Sequence, residues 1–446
     1  MAEKEPSPQS DFMIERIKER PISKTKLFRR TVITIVMAVL FGLVACFTFF
    51  ALEPVLSNWM NPKEEPPQIF FPEETEEKPP EEMLSDNNSQ DDPSKPEGVS
   101  GDSEGLVLEE QQIQEILSGV NLNLENYDQL YSALAEYAQT LQKTMVTLTG
   151  ISSRVDWFND VNESANRSSG VIIANNTREL LILTDFKPLE KAQRLNVTFY
   201  NGAETTAELK RKDSTTNLAV VSIPLEGLPQ DFLESIEVAA IGSSYYKNLV
   251  GKPVIALGSP MGTSNSVGYG VITSASGQAS EVDVNYTLLQ TDIAGSPVAD
   301  GVLFNLQGNI VGIITNDRSS SGMQNLITAY GISDLKKRME KLSNDLPFAY
   351  AGMYLTSVTL GAHEALNVPY GAYVKEVVMD SPAMKAGIRQ GDVIVQLNEM
   401  DVKGTSEYIS IMSYQKPGKV ISVKIMRQAP SEYKEMNLQI TLEELR

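Results

Sequence analysis

Between residues 145 and 332 the chain is a succession of short runs of β-branched and aliphatic residues separated by turn residues, with no sustained helical period. The runs fall at 145–149, 170–175, 180–184, 195–199, 219–222, 254–258, 268–273, 288–292 and 310–315. Such a pattern demands an antiparallel β body. The segment is too long for one simple sandwich, and two small barrels accommodate it.

The counts of two residue types narrow the chemistry. The 446 residues include one Cys and one His. A disulfide framework, a cysteine-rich zinc or iron–sulfur site and a multi-histidine metal site are therefore excluded, so no metal and no cofactor is expected. Any mechanism with a histidine base would have to use His363. The 58 acidic against 38 basic residues give a net charge of −20, which argues against nucleic acid as a partner.

Residues 31–52 form a stretch of 22 without a charge. As a helix at about 1.5 Å per residue it crosses a hydrocarbon core of about 30 Å. Lys24, Lys26, Arg29 and Arg30 precede it, and Glu53 opens an acidic region. The positive-inside rule then places residues 1–30 in the cytoplasm and the bulk of the chain outside a cell membrane crossed once. A cleaved signal peptide would have a shorter apolar run. Leu43-Val44-Ala45-Cys46 resembles the sequence before a lipidated cysteine, but the apolar run continues through Phe47, Phe49 and Phe50.

Residues 53–106 read as a disordered acidic linker. Between residues 61 and 110 there are 16 acidic residues, three lysines and eight prolines, too little apolar surface to offset ordering entropy. From 107 to 144 the pattern turns helical, with Tyr127, Leu130, Leu134, Tyr137 and Leu141 on one stripe. That stripe suits packing on the next domain, and homo-oligomerisation through a short coiled coil is the alternative.

Across 145–340 six blocks carry a resemblance to a known family. They are Ser169-Gly170-Val171-Ile172-Ile173, Ile182-Leu183-Thr184, Thr216-Asn217-Leu218-Ala219-Val220, Ala256-Leu257-Gly258-Ser259-Pro260-Met261-Gly262, Leu289-Gln290-Thr291-Asp292 and Asn305-Leu306-Gln307-Gly308-Asn309-Ile310-Val311-Gly312-Ile313. In order and spacing they resemble the HtrA/Deg branch of trypsin-like serine proteases. The resemblance implies a trypsin-like double β-barrel, and peptide hydrolysis by His, Asp and Ser between the barrels.

At the positions that match the triad, this chain carries Lys187, Asn217 and Asp300. A serine nucleophile needs a neighbouring base and a group to orient that base. Lys187 is ordinarily protonated, Asn217 supplies no charge, and Asp300 is a poor nucleophile. Val298 and Ala299 stand where the family has a glycine-containing turn, which puts the oxyanion hole in question. The expectation is a pseudoprotease that is not an enzyme, with Lys187 and Asp300 near enough to pair. The rival is a displaced catalytic group, such as Lys187 facing Ser296. Asp292 reads as a structural carboxylate and His363 as a surface or helix-cap residue.

Residues 346–446 resemble the PDZ domain that follows HtrA-type proteases. The blocks are Ser381-Pro382-Ala383-Met384-Lys385-Ala386-Gly387-Ile388, Gly391-Asp392-Val393-Ile394, Lys416-Pro417-Gly418-Lys419-Val420 and Val423-Lys424-Ile425-Met426-Arg427. The resemblance implies capture of peptides or protein C-termini as an added strand. Tyr350, Ala351, Gly352 and Met353 would form the carboxylate-gripping loop, followed by a strand through Tyr354 and Leu355. Tyr408, Ile411 and Met412 would lie on the apolar side of the facing helix. The resulting expectation is a mainly β, membrane-anchored scaffold or regulator. The alternatives are an endopeptidase in protein quality control and a structural, oligomeric surface protein.

Overall fold

The computed structural model describes residues 28–29, 32–44, 46–48, 66–72, 124–155, 161–226, 228–245, 249–315, 325–430 and 432–445. The chain divides into a unit spanning residues 1–65 and a unit spanning 66–446. In the first unit, residues 32–44 and 46–48 are helical. Among the described residues no helix is long and apolar enough to cross a membrane, and the rest of the 31–52 run lies outside them.

The second unit begins, among described elements, with helix α1 (Leu124–Gln142). The 107–123 part of the expected helical segment lies outside the described residues. Only Ala138 and Leu141 of α1 are buried, and its C-terminal half contacts the two barrels that follow.

The first barrel is built from β1 (Met145–Val155), β2 (Val161–Asn175), β3 (Glu179–Asp185), β4 (Arg194–Phe199), β5 (Glu204–Lys212) and β6 (Leu218–Pro224). It closes in the order β1-β2-β3-β6-β5-β4, with β4 returning to β1. Strand β3 shows why two barrels form. Leu180 and Ile182 point into the first barrel's core with Leu148 and Val197. Their neighbours Leu181 and Leu183 join a second cluster containing Leu257 and Phe304. Side chains alternate across a strand, so an unbroken apolar run requires an apolar partner on each face.

The second barrel takes β7 (Ala240–Ile241), β8 (Pro253–Ser259), β9 (Ser266–Glu281), β10 (Val284–Ala294), β11 (Asp300–Asn305), β12 (Asn309–Ile314) and β13 (Leu326–Gly331). The order β11-β8-β9-β10-β13-β12-β7 closes through pairing of β11 with β12. Short helix α2 (Gln230–Ser235) lies in the connection between barrels.

Helix α3 (Ile332–Ser343) leads out of the second barrel, burying Ile332, Leu335, Met339 and Leu342. Residues 66–72, assigned to the linker by composition, lie along it. The Asn344 side chain accepts from Ile69 N and donates to Ile69 O, both at 2.8 Å. Phe71 N donates to Glu340 Oε1 at 2.8 Å, and the Phe71 ring is buried. Residues 73–123 lie outside the described residues.

The C-terminal domain contains β14 (Ala349–Tyr350), β15 (Met353–Ser357), helix α4 (Leu360–Leu366), β16 (Ala372–Val377), helix α5 (Pro382–Lys385), β17 (Val393–Leu397), β18 (Met400–Asp401), helix α6 (Thr405–Ser413), β19 (Val420–Gln428), β20 (Tyr433–Thr441) and β21 (Glu443–Glu444). Its main sheet runs β15-β16-β17-β19-β20. Met353, Val374, Ile394, Tyr408 and Ile425 form its core.

Candidate functional site: the inter-barrel cleft and the carboxylate loop

Three turns position the triad-matching residues. Lys187 opens a single 3-10 turn, Lys187–Leu189, and its backbone N–H donates to Asp185 Oδ1 at 2.9 Å. Asn217 sits at φ 60°, a left-handed conformation that asparagine tolerates. Its carbonyl accepts from Phe186 N at 2.8 Å, tying it to the Lys187 turn. The Asn217 turn is pinned from below by Asp213, which accepts from Thr216 Oγ1 at 2.8 Å and pairs with Arg338 of α3 at 2.7 Å.

Asp300 starts β11, opposite Ser259 of β8. Next to it, Gly301 has φ 126°, and a Cβ there would lie 2.0 Å from Leu257 O. Only glycine fits that approach. The Asp300 side chain is buried and reaches across to the first barrel. Its Oδ2 accepts from Ser169 N at 2.8 Å and from Ser168 Oγ at 3.0 Å, and its Oδ1 accepts from Ser169 Oγ at 2.7 Å. Lys187 and Asp300 line the same cleft, of about 590 Å³, together with Arg167, Ser259, Ser264 and Val298.

The turn before Asp300 folds on itself. Ala299 N donates to Ser296 O at 3.0 Å and Val298 N to Ser296 Oγ at 3.3 Å. Asp292 accepts from Val271 N at 2.7 Å, consistent with a structural carboxylate. His363 lies in α4, stacked on Tyr370 with its Nδ1 2.8 Å from Val368 O.

The second candidate site is the loop before β15. Gly352 has φ 91°, which aims successive amides at one point. The amides of Ala351, Gly352 and Met353 donate to the carboxylate of Asp283 at 2.8, 2.7 and 3.2 Å, and Tyr408 Oη donates to it at 3.0 Å. Asp283 belongs to the β9–β10 hairpin of the second barrel and takes φ 61° there. Burial pushes its carboxyl up, against the opposing pull of these four donors. Burial, and then the charge of Asp283, push the Tyr408 phenol up in turn. Of the other groove residues, Met412 lines a small cavity beside Asp283 with Ile409, and Ile411 packs into the domain core. The Tyr350 ring hydroxyl faces Gly352, and Leu355 O accepts from Asn285 Nδ2 at 3.2 Å.

In the structure Lys187 and Asp300 line one cleft, and the amides of Ala351, Gly352 and Met353 meet the Tyr408 hydroxyl at one carboxylate. The sequence reading did not include Ser168, Ser169 or Asp283 among its site residues. Those residues sit in strands or a hairpin far along the chain from their partners, and no local pattern announces the contacts.

Residues 168–313 match the trypsin-like peptidase domain family and residues 337–442 the PDZ domain family. The serine protease Do-like HtrB of Bacillus subtilis (strain 168) is 32% identical over 286 residues, covering 59% of this chain and 60% of that protein. A probable periplasmic serine endoprotease, DegP-like, of Chlamydia trachomatis serovar D is 33% identical over 272 residues, covering 59% of this chain and 52% of that protein. The solved structure of the HtrA-type protease AlgW with a decapeptide superposes with a TM-score of 0.51 at 22% identity, over 69% of this chain and 98% of that one. The chain thus carries a trypsin-like domain followed by a PDZ domain, and spans about 52–60% of the length of these two curated relatives. The names of these relatives correct one expectation: they are serine proteases and endoproteases, and the reading of this chain as not an enzyme does not stand against them.

Proposed function

We propose that this chain is an extracytoplasmic endopeptidase-family protein of the HtrA type that engages unfolded polypeptide, with a displaced catalytic group in the inter-barrel cleft. The observation that carries this reading is the open cleft at the junction of two barrels, in a domain similar to named serine proteases. The cleft offers Lys187 as an amine and Ser259 and Ser264 as hydroxyls. Hydrolysis requires a nucleophile other than the residue at 300, because that carboxylate is engaged by Ser168 and Ser169. It also requires a base able to accept a proton, the role proposed for the Lys187 amine in its neutral form. A second reading, a peptide-binding scaffold or regulator, is favoured by that same engagement of Asp300.

In the PDZ domain, the amides of Ala351, Gly352 and Met353 are the proposed grip for a terminal carboxylate, with Tyr354 and Leu355 along the added strand. Residues 31–52 are the proposed single-pass anchor, supported by their length and lack of charge. The periplasmic naming of one relative favours an extracytoplasmic body.

The test is degradation of a casein substrate by the full chain, wild type against Lys187→Ala and Ser259→Ala. Cleavage lost in either variant supports the endopeptidase. A wild-type chain that leaves casein intact removes that reading in favour of the scaffold.

A further inference from the structure

The carboxylate loop of the PDZ domain is filled from within the chain. A captured C-terminus in such a loop makes two kinds of bond: its carboxylate accepts the loop amides, and its backbone pairs with the adjoining strand. Asp283 makes both. Its side-chain carboxylate accepts from Ala351 N, Gly352 N and Met353 N. Its own backbone N–H donates to Met353 O at 2.7 Å, at the first residue of β15. Two flanking residues extend the contact, since Ser280 Oγ at 3.5 Å and Asn285 Nδ2 at 3.2 Å both donate to Leu355 O. Tyr408 of α6 closes the far side with its hydroxyl on Asp283 Oδ1.

We propose that the 281–285 hairpin is an internal ligand of the PDZ domain, with Asp283 imitating a C-terminal carboxylate, so that an incoming peptide C-terminus must displace it. This rests on the reading that the loop binds carboxylate termini.

The competition is weighted by tethering. An internal ligand acts at an effective concentration on the order of millimolar or above. A free peptide binds only the fraction of molecules whose loop is open, and its apparent affinity falls by that fraction. Asp283 is also the tip of the hairpin joining β9 and β10, whose other ends, Ser266 and Ala294, lead to the cleft-lining residues Ser264 and Pro297. The β9 partner of β8 at Gly258 is Ser266, and the β10 residue Asp292 holds Val271. Displacement therefore acts on a strand pair continuous with two segments that line the cleft.

The test uses the full chain and a pool of octapeptides randomised at the last three positions, supplied as free acids and as amides. Asp283→Ala empties the loop and is expected to bind the acid pool at least about tenfold more tightly than wild type, with little change for the amides. Equal acid binding by wild type and Asp283→Ala overturns the competition and leaves the PDZ reading intact. No preference for acid over amide in either protein overturns the PDZ reading itself. A second measurement needs no variant. In the wild-type chain, amide exchange at 281–285 should quicken when the acid pool saturates the protein, while 351–353 stay protected. Unchanged exchange at 281–285 under saturation overturns the proposal.

Discussion

The carboxylate of Asp300 lies 2.7 Å from the hydroxyl of Ser169, joining the first strand of one barrel's closing face to an early strand of the other. The pair is buried, and Asp300 receives two further bonds from the same segment, Ser169 N and Ser168 Oγ. Ser169→Ala removes a bond to a charged acceptor, a loss of about 1.5–3 kcal/mol in unfolding free energy. In a double-mutant cycle with Asp300→Ala, the coupling should be about 0.5–3 kcal/mol. Additive losses in chemical denaturation would show that the two side chains do not depend on each other.

The half-buried amine of Lys341 gives a pH test. Its pKa is pushed down from the ordinary 10.5 to about 8, by burial first and by the Arg338 charge second. Between about pH 8 and 10.5 the folded chain therefore holds fewer protons than the unfolded chain, and this group's contribution to stability rises with pH across that window. Lys341→Met should stabilise at pH 7, and its advantage over wild type should shrink as pH rises past about 8. A difference in Tm that stays constant from pH 7 to pH 10 would count against the shift.

Gly352 has no room for a side chain. A Cβ there would lie 2.3 Å from the Ser381 Cβ, at a φ of 91°. Gly352→Val should cost at least about 1–3 kcal/mol from backbone conformation alone, before the clash is counted. Hydrogen exchange should show the loss concentrated in the loop and in α5. Protection of 350–353 equal to wild type would mean that the loop adapts.

The 66–72 segment offers a fourth prediction. Asn344→Ala deletes both side-chain bonds to Ile69, each worth about 0.5–1.5 kcal/mol. Local opening should increase accordingly. Chymotrypsin should then cut at Phe70 and Phe71 about tenfold faster, with the remainder of 66–446 intact. Cutting at the wild-type rate would show that Phe71, through its buried ring and its N–H bond to Glu340, holds the segment without Asn344.

Much of the β body was legible because apolar runs such as 180–184 and 254–258 are unbroken. A strand buried on both faces leaves that mark whatever it packs against. The glycine at 352 and the proline at 382 likewise carry local geometry in their identity. The bonds of Asp300 and Asp283 were not legible. Each carboxylate is 68 or more residues from the donors that hold it, at separations of 131 for Ser169 and 69 for Gly352. Composition also gave no sign that residues 66–72 dock on α3, because a charged and proline-rich stretch hides the run Ile69-Phe70-Phe71 that makes the contact. The face that Phe71 meets exists only once α3 has folded on the second barrel.

The backbone around Gly301 sets terms for how this cleft can change its chemistry. Gly258 and Gly301 pass so close that a Cβ on Gly258 would lie 2.8 Å from Gly301 Cα, which holds β8 and β11 in one fixed register. The direction in which residue 300 projects is therefore set by two glycines, and not by the residue itself. A side chain substituted at 300 would leave the same stretch of backbone, aimed at the opposite barrel. The aiming belongs to the strands, and a substitution at 300 changes only the group that is aimed.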